Sequence, residues 1–282
     1  MSRSGAAAVA VAVVLAVVGC TTAEPPASSG STETSAVAGT PSPESSVSVS
    51  PSPAATGPHR EVEFPAADGE PVAGRFFDGR DAGSGAREAA TVGVVLSHMG
   101  RSVDGPDDWQ AYAESLADRG YLVLTYTERG QYDEIWNDVL GGVSYLRDEG
   151  ATTVIAAGAS IGAMASLYAA SEREASGIDA VLWLAGVLNS SGYAFEEKGV
   201  EGLDCPVLIV AGEDDTYGAG SDAETLHGWT SGFSELLLLP SRYHGTDILT
   251  LERPRTARKL RRAMDDFVDR VAEERPGECT AG

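Results

Sequence analysis

Short apolar runs alternate with longer amphipathic stretches through most of this chain. The apolar runs are rich in β-branched residues and are bounded by polar residues or glycine, as is typical of strands buried on both faces. They cover residues 91–97, 121–126, 152–157, 179–185, 206–211 and 235–239. Helical periodicity predicts α-helices over residues 107–119, 134–149 and 255–271 and over the segment that follows residue 160. Because this alternation buries parallel strands beneath helices, the sequence predicts an α/β fold with a mostly parallel central sheet and helices on both faces.

A hairpin and one short insertion modify this plan. Near the N-terminal side, apolar runs at 61–64 and 71–77 flank the turn residues Asp68-Gly69, which predicts an antiparallel hairpin at one edge of the sheet. Residues 189–202 form the one insertion that could act as a lid, and they are too few for a folded cap domain. We therefore expect no large cap and a fairly open site.

The N-terminal segment has the composition of an export signal. The apolar run from 6 to 18 follows the basic Arg3 and is thirteen residues long, which is too short to span a bilayer but fits a signal-peptide core. The run ends in Val17-Val18-Gly19-Cys20, which resembles the lipobox of bacterial lipoproteins although the family pattern prefers Leu at the position of Val17. The resemblance implies cleavage before Cys20 and a diacylglycerol anchor on its thiol. Plain secretion with cleavage elsewhere is the alternative.

Composition then divides the rest of the chain. Residues 21–58 are Ser, Thr, Pro, Ala and Gly with almost no large apolar side chain, so they cannot bury enough surface to offset the entropy of ordering. The prediction is a signal peptide over 1–19, a lipidated, disordered tether over 20–58, a folded domain over 59–274 and a flexible tail over 275–282. The domain is expected at the extracytoplasmic face of the cell membrane.

The net charge excludes some classes of binding partner, and the cysteine content leaves open whether the domain contains a disulfide. The formal net charge of −22 argues against nucleic acid or an anionic membrane surface as a partner. Besides Cys20, the chain has Cys205 and Cys279. An exported protein could pair them, but Cys205 also fits as a buried residue at the start of a strand, and Cys279 lies in the predicted tail.

The apolar run at 152–157 leads into a G-x-S-x-G pattern, Gly158-Ala159-Ser160-Ile161-Gly162. On a strand–turn–helix this is a nucleophile elbow, in which the turn strains the serine backbone and leaves no space for a Cβ at either glycine. Ser160 would then project at a helix N-terminus, where the positive end of the helix dipole favours an anion. An ordinary tight turn between strand and helix is the alternative interpretation.

Acid and base groups follow two later strands. The run at 206–211 leads into Gly212-Glu213-Asp214-Asp215, and the run at 235–239 leads into Ser241-Arg242-Tyr243-His244-Gly245. Because sites in such sheets lie beyond the carboxyl ends of the strands, these groups are expected near Ser160. Serine, then acid, then histidine is the chain order of the α/β-hydrolase triad.

On these motifs, and on Leu96-Ser97-His98-Met99-Gly100 after the first buried strand, residues 61–272 resemble the α/β-hydrolase superfamily. Within it, the chain is similar to the small lidless esterases and dienelactone-hydrolase-like proteins. Family members often carry Gly-x-x-Asp after the acid strand, which implies that Asp215 is the triad acid, with Asp214 as the competitor.

The chemistry of acyl transfer gives each triad residue a role. A serine hydroxyl is a poor nucleophile at neutral pH, so a base must take its proton during attack. His244 is expected to be that base, because an imidazole titrates near neutrality. Asp215 would hold the imidazole tautomer and stabilise the imidazolium that forms.

An oxyanion hole is expected beside the serine. The backbone N–H of Ile161 would supply one donor and that of Met99 the second, with Gly100 as the alternative. The family usually has His-Gly where this chain has His98-Met99-Gly100. His98 is expected to shape this loop through hydrogen bonds rather than to catalyse.

The remaining predictions concern substrate and cofactors. Trp183 lies near the end of a buried strand, and Tyr193 and Phe195 lie in the insertion, so these three are candidate walls of a substrate pocket. The alternative is a place in the core, which is the more common position for an aromatic residue near a strand end. Glu213 and Asp214 have no His-x-x-x-His or cysteine cluster beside them, and the sequence predicts neither a metal site nor a cofactor.

The sequence therefore predicts a serine hydrolase, and most specifically a carboxylic-ester hydrolase acting on a small ester or acyl substrate through an acyl-enzyme. A peptidase, thioesterase or acyltransferase would use the same triad. A surface lipoprotein that binds a ligand or partner without turnover is the alternative from a different class, and a structural protein of the cell wall is a third.

Overall fold

The computed structural model describes residues 59–81, 92–101, 103–172, 176–230 and 232–280. The predicted signal peptide, the lipidation site Cys20 and the predicted tether lie outside the described residues. Within those residues, no helix combines the length and the apolar character needed to cross a bilayer.

A twisted sheet with helices on both sides forms the domain. In the described residues the strands are β1 (Arg60–Pro65), β2 (Pro71–Asp78), β3 (Val92–Ser97), β4 (Leu122–Tyr126), β5 (Thr153–Ala159), β6 (Ala180–Leu184), β7 (Asn189–Ser190), β8 (Tyr193–Ala194), β9 (Val207–Gly212) and β10 (Ser234–Leu239). The α-helices there are α1 (Gln110–Ala117), α2 (Ile135–Asp148), α3 (Ile161–Glu172), α4 (Glu197–Val200), α5 (Ala219–Trp229), α6 (Asp247–Thr250) and α7 (Pro254–Glu274).

Eight of these strands pair in the order β1-β2-β4-β3-β5-β6-β9-β10. β1 and β2 form an antiparallel hairpin, and β2 pairs antiparallel with β4. The other neighbours in the sheet are parallel. The structure thus confirms the predicted α/β fold, its mostly parallel sheet and its N-terminal antiparallel hairpin.

The sheet is buried on both faces, which explains why its central strands are continuous apolar runs. In β5, Val154 and Ala156 belong to the core that also contains the apolar faces of α2, α3 and α5. The intervening residues Ile155 and Ala157 belong to a second core with residues of α1 and α7. Alternate side chains of one strand therefore stabilise both layers.

The predicted helix over 107–119 begins differently from the prediction. Residues Pro106–Trp109 form a 3-10 turn, and α1 starts only at Gln110. In this turn Trp109 is fully buried, and its indole N–H donates a hydrogen bond to the carbonyl of Ser97 (2.9 Å). The turn thereby fixes the end of β3, where the loop toward the serine begins.

The insertion over 189–202 is a small hairpin followed by the one-turn helix α4. Strands β7 and β8 pair antiparallel and are joined by Ser191-Gly192, whose φ angles are 53° and 90°. Two successive residues with positive φ are typical of a two-residue hairpin turn with a right-handed strand twist. As expected, the insertion contains no folded cap.

The C-terminal tail differs from the prediction of a flexible segment. Cys279 is buried and forms a disulfide with Cys205, which lies two residues before β9. The N–H of Cys279 donates to the carbonyl of Ile178 (2.7 Å), and Thr280 donates through its N–H and its hydroxyl to Asp204 (both 2.9 Å). The residues after α7, as far as Thr280, are therefore anchored to residues that precede β6 and β9, at the end of the sheet where these parallel strands begin.

Candidate active site

Ser160 occupies the sharp turn between β5 and α3. Its φ is 54°, in the left-handed region that is strained for a residue other than glycine. A Cβ on Gly158 would lie 2.2 Å from the backbone of Gly162, and a Cβ on Gly162 would lie 2.6 Å from the Cβ of Ser97. Both glycines are thus required sterically, and the turn has the geometry of a nucleophile elbow.

Three predicted side chains form one hydrogen-bonded chain. His244 Nε2 lies 2.8 Å from Ser160 Oγ, and His244 Nδ1 lies 2.8 Å from Asp215 Oδ2. Because an ionised carboxylate only accepts hydrogen bonds, Nδ1 carries the proton and Nε2 is free to accept from the serine hydroxyl. Asp215 Oδ1 accepts the N–H of Tyr217 (2.8 Å), which fixes the carboxylate. This arrangement can transfer the serine proton to the imidazole.

The structure separates the two candidate acids. Asp215 is 9% exposed and contacts His244, whereas Asp214 is exposed and its N–H donates to the carbonyl of Ser241 (3.0 Å). A Cβ on Gly212 would lie 2.6 Å from that same carbonyl, so the end of β9 approaches the histidine loop closely. The geometry therefore places Asp215, and not Asp214, behind the imidazole.

The predicted oxyanion donors lie beside the serine. Ile161 is the first residue of α3, and Met99 and Gly100 follow β3. All three line one cavity together with Ser160 and His244. Because Ile161 is the first residue of the helix, its N–H has no partner within the helix and lies at the positive end of the helix dipole. An anion bound to Ser160 would meet backbone donors there.

His98 holds the loop that carries Met99. Its Nδ1–H donates to the carbonyl of Met99 (2.6 Å), and its Nε2 accepts the N–H of Glu128 after β4 (3.1 Å). Both ring nitrogens are thus occupied by backbone groups, and burial lowers the pKa of His98, so the imidazole is held neutral. The prediction that His98 shapes its loop agrees with these contacts.

Glu128 is a buried carboxyl that sequence analysis did not identify. Its side chain is 2% exposed, and within the described residues neither carboxyl oxygen has a hydrogen-bond partner. Burial raises the pKa of Glu128 well above its ordinary value, and the charges of Asp138 and Asp104 raise it further. Nothing in the local sequence distinguishes this glutamate from an exposed one, because its burial depends on the loop after β3.

Replacing Glu128 with glutamine is expected to stabilise the protein at pH 8 by about 1 kcal/mol or more, because the neutral amide keeps the shape of the side chain and avoids the cost of burying an ionised carboxylate. A raised pKa contributes stability that is present below the ordinary value of 4.5 and lost as the pH rises, because the unfolded state ionises first. The variant should therefore lose less stability than the wild type between pH 5 and pH 8 in urea denaturation. Glu63→Gln, on the exposed side of β1, is the control and should leave the slope unchanged.

The cavity at Ser160 is small and mainly apolar. Its volume is about 170 Å³. Its lining comprises Met99, Gly100, Arg101, Tyr132, Ser160, Ile161, Met164, Val187, Ser190, Ser191, Tyr217 and His244. The ring of Tyr217 lies 4.5 Å from the imidazole of His244, and Tyr132 donates through its hydroxyl to the carbonyl of Gly100. These two exposed tyrosines form the rim on either side of the serine.

The predicted pocket residues Trp183, Tyr193 and Phe195 do not line this cavity. Trp183 is fully buried in β6 and packs edge-on against Phe195 (5.6 Å between ring centroids). Tyr193 stacks parallel to Phe195 and meets Tyr168 of α3 (5.4 Å). The three aromatic side chains thus anchor the insertion to the core. Its turn residue Ser191 and its neighbour Ser190 face the cavity instead.

Four further residues that line the cavity were not predicted from the sequence; Met164 lies in α3, Tyr132 in a 3-10 turn, and Arg101 and Tyr217 in loops. Arg101, Tyr132, Met164 and Tyr217 carry no motif of their own, although Tyr217 is only two residues from the triad acid, and a residue so close to a strand-end carboxylate is a reasonable candidate for a pocket wall. No group of three or more His, Cys, Asp or Glu side chains suited to a metal occurs among the described residues.

Comparison with known proteins finds similarity at the level of structure. No protein-family model matches the sequence, and no curated protein matches it. The esterase Pf2001 of Pyrococcus furiosus superposes with a TM-score of 0.59 at 15% identity, over 75% of this chain and 91% of that one. Esterase 2 of Thermogutta terrifontis, in a form phosphoramylated by tabun, superposes with a TM-score of 0.62 at 13% identity, over 78% and 97%.

A peptidase is also similar. The acylaminoacyl peptidase of Pyrococcus horikoshii superposes with a TM-score of 0.56 at 14% identity, over 75% of this chain and 41% of the peptidase. This chain therefore matches less than half of that enzyme. At these identities the similarity establishes the fold: the domain has the α/β-hydrolase fold that these esterases and this peptidase share.

Proposed function

We propose that this protein is a serine hydrolase that cleaves small, uncharged carboxylic esters. The observation that carries the proposal is the chain of contacts from Asp215 through His244 to Ser160, with both hydrogen bonds at 2.8 Å, ending at a strained serine in an open cavity. The positive φ of Ser160 supports the proposal because it occurs together with these two contacts, whereas Ser191 in the β7–β8 turn has a similar φ without them.

The geometry supports acylation by direct attack. Ser160 Oγ attacks the ester carbonyl carbon while its proton passes to His244 Nε2, and the imidazolium is stabilised by the carboxylate of Asp215. The carbonyl oxygen becomes an oxyanion and is bound by the N–H groups of Ile161 and Met99. As the tetrahedral intermediate collapses, the C–O bond to the alcohol breaks and Nε2 returns the proton to the departing oxygen.

Deacylation uses the same groups in the same positions. A water molecule loses its proton to His244 Nε2 and attacks the acyl carbon, and the second oxyanion occupies the same hole. When this intermediate collapses, the bond to Ser160 Oγ breaks, and the proton returns from Nε2 to the serine. The products are the acid and a regenerated enzyme, and no cofactor takes part in either step.

The cavity favours a small acyl or alcohol group. A space of about 170 Å³ with Met164 and Val187 on its apolar side fits a short chain better than a long one. The insertion contains only a hairpin with strands of two residues each and one turn of helix. An insertion this small suits a lidless esterase of the dienelactone-hydrolase-like type. The formal net charge of −22 disfavours anionic substrates.

We also propose that the protein is exported and anchored by a lipid on Cys20 at the extracytoplasmic face of the membrane. The basic start, the short apolar run and Gly19-Cys20 support this location. The disulfide between Cys205 and Cys279 is in accord with an oxidising compartment. Labelling cells with a radioactive fatty acid tests the anchor: the wild type should incorporate label, and Cys20→Ala should not.

The activity is tested with 4-nitrophenyl acetate, butyrate and octanoate. The wild type should turn over the acetate and butyrate faster than the octanoate, and Ser160→Ala should abolish turnover of all three. Ser171→Ala, at a buried α3 serine whose hydroxyl has no partner among the described residues, is the control and should retain full activity. Equal activity of wild type and Ser160→Ala would exclude this mechanism. Cleavage of an acyl-peptide amide but of no ester would identify a peptidase, and no turnover of either would favour the non-catalytic binding protein.

A further inference from the structure

Arg101 joins two loops that carry different parts of the site. Its Nη1 and Nη2 donate to the two carboxylate oxygens of Asp247 (2.9 and 3.0 Å), and its Nε and Nη2 donate to Asp104 (2.9 Å each). The N–H of Arg101 donates to Asp104 as well (2.8 Å). The planar guanidinium is thus held on two sides, in the paired geometry that arginine forms with carboxylates.

The two loops are the oxyanion loop and the histidine loop. Arg101 follows Met99 by two residues, and Asp247 follows His244 by three. The backbone N–H of Asp247 donates to the carbonyl of His244 (3.1 Å), so the residue whose carboxylate Arg101 binds is hydrogen-bonded through its backbone to the histidine. The loops also meet at Gly245, where an added Cβ would lie 2.4 Å from the sulfur of Met99.

These contacts set the position of the oxyanion donors relative to the base. The donor loop follows β3 and the histidine follows β10, and three other strands lie between β3 and β10 in the sheet. The pairing of strands therefore does not fix the tip of the oxyanion loop relative to the tip of the histidine loop. A bidentate ion pair between the tips removes that freedom, and small displacements at a reacting centre are costly in rate.

We propose that Arg101, bound to Asp104 and Asp247, is a positioning residue that locks the oxyanion loop onto the histidine loop. The inference rests on the proposed esterase activity and assigns it a further determinant of rate. Arg101 also lines the cavity, whereas Asp247 does not. Substitution of Asp247 consequently tests the clamp without altering the surface that a substrate contacts.

The chain supplies a matched control in Arg119. Its Nη1 and Nη2 donate to Asp265 (2.7 Å) and Asp269 (2.5 Å), joining the end of α1 to α7. Both arginines lie between two carboxylates, with the Arg119 side chain 29% exposed and the Arg101 side chain more exposed at 44%. Arg119 does not line the cavity, so the loss of its paired hydrogen bonds to Asp265 and Asp269 is expected to affect stability and not the site.

The experiment compares Arg101→Lys, Asp247→Asn, their double variant and Arg119→Lys in the full chain, with 4-nitrophenyl acetate as substrate. Lysine keeps the positive charge but lacks the planar guanidinium that donates to both carboxylates. We expect kcat to fall at least about tenfold in Arg101→Lys and Asp247→Asn, with KM within about twofold for Asp247→Asn, because misplaced groups lower kcat rather than binding. The double variant should be no slower than the worse single variant by more than twofold, since both changes remove one clamp. Arg119→Lys should keep kcat within twofold.

The rate at which a fluorophosphonate modifies Ser160 is the second readout, and it should fall in parallel with kcat. A clamp that only stabilises the fold would instead lower the melting temperature of Arg101→Lys and Arg119→Lys alike and leave kcat unchanged in both. That result overturns the proposal, as does a loss confined to KM in Asp247→Asn. If one of the two site variants does not fold, the other decides. Failure of the wild type itself to hydrolyse ester or to react with the probe overturns the proposed activity, and the clamp with it.

Discussion

Replacing His244 with asparagine is expected to lower kcat for 4-nitrophenyl acetate by about 10⁶-fold, the loss typical when the base or nucleophile of such a triad is removed. Asparagine can still accept or donate one hydrogen bond, but it cannot take the proton of Ser160, so the attacking oxygen stays a neutral hydroxyl. The residual rate should be that supplied by the oxyanion donors and by binding. Steady-state kinetics, with single-turnover assays for the slow variant, measure the change.

Two controls connect this loss to the observed geometry. His227→Asn removes a half-buried imidazole on α5 that contacts Ser234 Oγ (2.7 Å) and should keep kcat within about twofold. Asp215→Asn should lower kcat by about 10⁴-fold, because the imidazole would then be held in the wrong tautomer. Asp214→Asn, its exposed neighbour, should have almost no effect. A large loss in Asp214→Asn with none in Asp215→Asn would contradict the contact between His244 and Asp215.

Removing the disulfide is expected to lower the free energy of unfolding by about 4 kcal/mol, since a cross-link that closes a loop of this length restricts the unfolded chain by about that amount. Cys205 and Cys279 are 74 residues apart, and the loop between them contains β9, β10, the triad acid and the histidine. The variant Cys205→Ala/Cys279→Ala should show this loss in urea denaturation. Loss of these thiols also leaves a small space in the core, which acts in the same direction.

Reduction of the wild type separates the effect of losing the cross-link from the effect of the small space that removal of the thiols leaves in the core. Wild-type protein treated with a thiol reductant should lose most of the same free energy, and the double variant should not respond to the reductant. A difference below about 1 kcal/mol between the wild type and the double variant would contradict the expected stabilisation, because a cross-link that closes a loop of 74 residues restricts the unfolded chain by several times this amount.

The sheet and the line of triad residues follow from local sequence. A strand buried on both faces is an unbroken apolar run, so its ends are visible in the sequence, and parallel strands bring their carboxyl ends to one edge. Ser160, Asp215 and His244 are each within a few residues of such an end, so strand prediction was enough to bring them together. The structure then selected Asp215 over Asp214 through one contact.

The pocket walls did not follow, because they depend on which way a short insertion turns. Ser191-Gly192 reverses the chain so that Ser190 faces the cavity while Tyr193 enters the core. One residue of register would exchange these positions. The aromatic residues were predicted to line the pocket from their positions at a strand end and in the insertion. In the structure they are packed in the core, and Trp183 lies so close to Gly186 that a Cβ there would be 2.4 Å from the indole.

Contacts between loops that are distant in sequence were equally out of reach. Arg101 and Asp247 are 146 residues apart, and nothing in either segment indicates the other. The tail has the polar composition of a flexible segment, yet Cys279 forms a disulfide with Cys205, which lies two residues before β9. Such pairings require the path of the backbone, which composition does not provide.

Labelling with a fluorophosphonate is the most direct test of an assembled Ser–His–Asp site. Such a probe reacts with a serine that a base and an oxyanion hole activate, and mass spectrometry of the digested protein identifies the modified residue. The structure predicts stoichiometric modification of Ser160 in the full chain, none in Ser160→Ala, and full modification in Ser171→Ala. Folded wild-type protein that remains unmodified, or that is modified at another serine, would contradict the proposed active site.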